Sequence, residues 1–180
     1  MAHPTSSYQE SNLMFPVANI SFAPNLRIMN FLVLLHSYLR WILLILLLAS
    51  IFKALSGMNG KKALTAGDKK IWLFTMITAH TTLLIGLILL FVGRIGFTNI
   101  PEGVSVMKDA TYRFYLVEHP LMMLIAIVFI TIGRGQAKKA IPDAVKYKKA
   151  FWFFVLALIL ILAAIPWPAR EIGRPLFPSL

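Results

Sequence analysis

The stretch FLVLLHSYLRWILLILLLASIF, Phe31 to Phe52, constrains this chain more than any other feature. An apolar run of at least the ~20 residues that cross a bilayer reads as a transmembrane helix. Yet it carries His36, Ser37 and Arg40 near its middle. An arginine at the centre of a membrane helix costs about 2.5 to 3.5 kcal/mol on insertion scales, so it marks a surface turned toward other helices. The stretch reads as one wall of a buried polar site.

Three more apolar runs follow, giving predicted crossings at about 26–52, 71–93, 114–133 and 150–165. With short connections these make an all-α integral membrane four-helix bundle of up-down-up-down topology. The 180 residues are 58% hydrophobic and only 14% charged, as expected of a polytopic membrane protein. The fourth run stops at IPWP, where Pro166 and Pro168 end the helix and Trp167 supplies an interfacial anchor. A short outer-side tail follows it. Residues 1–25 are polar, contain Pro4, Pro16 and Pro24, and lack the basic and apolar regions of a signal peptide. They are expected to be a mobile extension of the domain formed by residues 26–180.

The formal charge of +11 does not indicate nucleic acid, because Lys and Arg cluster in the breaks between apolar runs and no basic arm is present. Eleven lie in the first and third connections: Lys53, Lys61, Lys62, Lys69 and Lys70, then Arg134, Lys138, Lys139, Lys146, Lys148 and Lys149. Six lie on the other side: Arg27, Arg94, Lys108, Arg113, Arg170 and Arg174. The positive-inside rule then puts both termini on the non-cytoplasmic side.

The chain has no cysteine, which excludes disulfides, iron–sulfur clusters and covalent c-type haem. Any metal must use His, Met, Glu, Asp or Tyr. His36, His80 and His119 fall inside crossings, whereas His3 belongs to the polar extension. At ~1.5 Å per residue, His36 and His119 lie roughly 5 to 7 Å outward of the membrane centre, on helices that sit diagonally across a four-helix core. This is the placement that a bis-histidine haem requires. Tyr115, Met122 and Met123 share a face with His119, a pattern that more often marks ordinary core packing than a cofactor lining. Pro120 predicts a kink that frees the Leu116 carbonyl.

Arg40 lies one turn from His36, with Glu118, a haem propionate or a quinone carbonyl as alternative partners. Arg113, Arg170 and Arg174 at the outer surface are candidate propionate anchors. His80 has no polar stripe of its own. It is an alternative axial ligand, a quinol contact, the third ligand of a three-histidine metal site, or a structural residue bonded to a carbonyl.

The segments LLHSYLRW, AHTTLLIGL, EHPLMMLIAIVFITIG and IPWP…GRPLF resemble a group of small four-helix bacterial membrane proteins, found especially in Bacteroidetes and usually labelled cytochrome B. The resemblance covers about Met29 to Leu180 and includes His36, Arg40, His80, Glu118 and His119. It implies non-covalent haem b and single-electron transfer in the bacterial inner membrane, between a quinol pool or respiratory-chain partner and an outer-side acceptor. The residues leave two alternatives: a haem-free scaffold or accessory subunit in an oligomer or larger complex, and a metalloenzyme built on His36, His80 and His119.

Overall fold

A computed structural model describes residues 26–177. The expected extension 1–25 lies outside them. Four long apolar helices pack as a bundle, each long and apolar enough to cross a membrane: α1 (Leu26–Gly57), α2 (Ala66–Val92), α3 (Ala110–Lys138) and α4 (Asp143–Ala164). The chain is a multi-pass membrane protein. Each helix packs chiefly on its neighbours in the ring α1–α2–α3–α4, with α4 returning to α1, so α1 and α3 face each other across the diagonal.

The core is tight where small residues let backbones approach. Ala54, Ala79, Ala126, Ala150 and Ala157 are buried. The Tyr147 ring lies where a side chain at Gly57 would stand, and a Cβ on Gly133 would meet Phe154 at 2.7 Å. Large residues such as Ile45, Leu84, Leu121 and Ile159 face outward, as a lipid-facing surface requires.

Three helices begin before their apolar windows, because local capping sets the ends while hydropathy sees only the lipid-embedded part. Thr65 caps α2 in a reciprocal box with Asp68. Asp109 accepts the Thr111 and Tyr112 N–H groups at 2.9 and 3.0 Å to start α3. Asp143 opens α4 behind Pro142, placing Lys146, Lys148 and Lys149 in its first turns. Ahead of Pro120, residues Phe114–Glu118 form a π turn in which the His119 N–H reaches the Phe114 carbonyl. The wider turn accommodates the proline by shifting the hydrogen-bond ladder by one residue, where the sequence predicts a simple kink.

At the lysine-rich end the buried Asp68 carboxylate is fully engaged. It accepts from Tyr147 Oη at 2.7 Å and Thr65 Oγ1 at 2.7 Å, and Lys62 lies at 3.1 Å and Lys53 at 3.6 Å. Asp143 accepts the Leu64 N–H at 2.9 Å and so ties the α1–α2 connection to α4. Asp68→Ala would leave Lys62 without its acceptor, break the α2 capping box with Thr65 and reduce the Tyr147 hydroxyl to its longer bond to Ala63 O, so it should destabilise the bundle by about 2 kcal/mol, measured by chemical unfolding in detergent micelles.

Candidate functional site

The site exists because α4 is short. Pro166 and Pro168 have no N–H, so the Leu162 and Ala164 carbonyls lose the donors that a continuing helix would supply. Side chains take those places. Trp167 Nε1 donates to Leu162 O at 2.9 Å, Arg170 Nη1 donates to Ala163 O at 3.2 Å, and His119 Nδ1 lies 2.9 Å from Ala164 O. A carbonyl only accepts, so Nδ1 of His119 carries the proton and Nε2 keeps its lone pair.

His36 reaches this ring across the bundle diagonal. The two imidazole centroids are 6.3 Å apart with planes at 63°. Gly86 on α2 makes room, because a Cβ there would stand 3.1 Å from His36 Cε1. The Thr82 carbonyl lies alongside the His36 ring, yet the shielded Nδ1 makes no hydrogen bond of good geometry. One turn further on, Arg40 donates through Nη2 to Leu176 O at 2.7 Å, while its shielded Nε has no partner.

The chain after α4 folds back over this end of the bundle. Tyr115 Oη donates to Ile172 O at 2.9 Å, and Trp41 Nε1 reaches Leu176 O at 3.3 Å. Phe177 stacks on Trp41, centroids 5.4 Å apart and planes at 16°. Arg170 sits 4.9 Å over the Phe114 ring and Arg174 4.6 Å over Tyr115. Phe114 in turn lies 6.0 Å from His119.

The structure thus brings together His36, His119 and Arg40, with Arg170 and Arg174 above them on neighbouring rings. Glu118 pairs with Arg113 at 2.9 Å rather than with Arg40, whose acceptor is the tail backbone. His80 is exposed on the outer face of α2, its Nδ1 2.8 Å from Met76 O. It stands apart from the pair, and among the described residues no cluster of three or more His, Asp or Glu is arranged for a metal. Met123 packs against the core, which is the ordinary role for that stripe. Trp41 and the Leu176 carbonyl escape sequence reasoning, whereas Gly86, spaced seven residues from Ala79 and Gly93, carries the signal of a close helix contact. The two released carbonyls also had a legible signal, the spacing of Pro166 and Pro168 from Leu162 and Ala164.

Two imidazoles binding one metal from opposite sides, with metal–nitrogen bonds of ~2.0–2.1 Å and the ring centre ~1.1 Å beyond, stand about 6 Å apart at their centroids. The observed 6.3 Å is close to that spacing, and it is equally that of two rings in edge-to-face contact. Two protein nitrogens are few for a bare ion, whereas a macrocycle brings its own four, so the donor set suits haem better than a free metal. Comparison with family models, curated proteins and solved structures yields no match to this chain.

Arg40→Leu removes the charged donor that holds Leu176. The tail should then open more often, and amide hydrogen exchange across residues 170–177 should speed up about tenfold.

Proposed function

We propose that this protein is a b-type membrane cytochrome that carries single electrons between a quinol pool or partner oxidoreductase and an acceptor on the outer side. The observation that carries the reading is the His36–His119 pair, 6.3 Å apart on diagonal helices, with one imidazole already oriented by the Ala164 carbonyl. Haem b bound there would supply a one-electron couple at its iron.

The chain's own residues supply the rest. Ala164 fixes the His119 tautomer and raises the basicity of Nε2, as acceptors behind metal-binding imidazoles do. Arg40 sets a fixed positive charge one turn from His36, and its unpartnered Nε is a donor for a propionate. Arg174 is a second cation within the same end of the bundle. The folded-back tail, through the Leu176 carbonyl and Phe177, covers Arg40 and Trp41 at this end.

A second reading, a haem-free scaffold or accessory subunit, draws support from the same bonds. Arg40 to Leu176 and Tyr115 to Ile172 are fastenings that need no cofactor. A reduced-minus-oxidised spectrum with metal analysis on protein from its native membrane separates the two readings. The cytochrome shows a Soret band and the scaffold shows none. In electron paramagnetic resonance, His36→Ala and His119→Ala should each lose the low-spin bis-imidazole signal, while His80→Ala keeps it. Unchanged signals in the first two variants would reject the assignment.

The excess of positive residues in the first and third connections supports placing both termini outside, in a bacterial inner membrane. An impermeant thiol reagent added from outside should label Glu102→Cys and spare Ser56→Cys. The opposite pattern inverts the topology.

A further inference from the structure

Beside the histidine pair, a cleft of about 230 Å³ opens between the start of α3 and the returning tail. Ala110, Phe114 and Ile172 give it apolar walls, and its charged groups are Arg113, Glu118, Arg170 and Glu171. Arg113 and Glu118 neutralise each other at 2.9 Å. That leaves one cation and one anion, Arg170 and Glu171, adjacent in sequence and both without an ion-pair partner among the described residues. Arg170 is also held in place, its guanidinium stacked on Phe114 at 4.9 Å and its Nη1 bonded to Ala163 O at 3.2 Å. A guanidinium fixed in this way loses little freedom on meeting a phosphate.

The geometry points to a phospholipid site for a zwitterionic headgroup, phosphatidylethanolamine: Arg170 takes the phosphate, and the Glu171 carboxylate takes the primary ammonium. The position suits a lipid. The cleft borders the first turns of α3, where the sequence passes from polar to apolar, so the glycerol and acyl chains can run down the exposed apolar surface below it. Charge selects the headgroup. A purely anionic lipid would meet Glu171 without an ammonium to offset it, and a choline, which has no N–H, could not donate to the carboxylate. This assignment is independent of haem at His36 and His119.

The test is native mass spectrometry of the full chain released from nanodiscs of equal phosphatidylethanolamine, phosphatidylglycerol and phosphatidylcholine, with circular dichroism confirming the helical fold of each variant. The wild type should retain one phosphatidylethanolamine in preference to either other lipid by about fivefold. Arg170→Gln should lower retention of every phospholipid about tenfold, and Arg170→Lys should recover part of it. Glu171→Gln should keep phospholipid binding but erase the preference for phosphatidylethanolamine over phosphatidylglycerol. Millimolar phosphoethanolamine in solution should leave the lipid adduct in place. Equal retention of the three lipids by the wild type, an unchanged preference in Glu171→Gln, or displacement by the soluble headgroup would each overturn the assignment, the last pointing to a free phosphoethanolamine ligand instead.

Discussion

Inside a bilayer a backbone carbonyl without a donor is expensive, and α4 ends with a proline pair that creates such carbonyls at a fixed depth. Three side chains at that end of the bundle answer this constraint. Trp167, Arg170 and His119 each present a nitrogen to one of the last three carbonyls of the helix. His119 is thereby oriented by a group on a different helix, and the π turn before it places its own backbone. The ring that meets His36 is positioned by the failure of α4 to continue. A continuing helix would have satisfied Ala164 itself and left His119 without that partner.

Polar groups are buried at both ends of the bundle. At the lysine-rich end Asp68 gathers Tyr147, Thr65, Lys62 and Lys53, and each donor has a structural purpose: capping α2 or tying the loop to α4. At the other end His36 Nδ1 and Arg40 Nε are shielded yet unpartnered, one turn apart on one helix. Buried polar atoms in folded proteins are nearly always satisfied, so an unsatisfied pair within one helical turn of each other calls for an explanation. Trp72 Nε1, Arg134 Nε and Gln136 Oε1 toward the lysine-rich end are shielded and unpartnered as well, so what sets the His36 and Arg40 atoms apart is their place beside the His119 ring.

What the sequence made legible was depth and periodicity. Four crossings follow from hydropathy, and counting residues from each midpoint put His36 and His119 at one level, where their rings lie 6.3 Å apart. Helix ends were less legible, because hydropathy averages over a window while a cap such as Thr65 or Asp109 acts through one side chain. The partner of Arg40 was illegible for a different reason. It is a backbone carbonyl on Leu176, far away in sequence, and a carbonyl carries no residue-type signature. Glu118 looked equally able to reach Arg40, but it lies five residues from Arg113 across the π turn and pairs there instead.

Helices in lipid gain no hydrophobic drive toward one another, so their association rests on close packing and on polar bonds. Along most of the bundle the small residues of all four helices provide the packing. Near His36 and His119 the fourth helix is ending, and the contacts that remain are two rings meeting across the diagonal and a tail held by Arg40, Trp41 and Tyr115. A group that binds both histidines must therefore stabilise the same end of the fold that it occupies, by an amount set by its affinity and concentration. Were a group bound there, its loading and closure of the tail would be coupled, since each would order the region where α4 is absent and so lower the conformational entropy lost by the other.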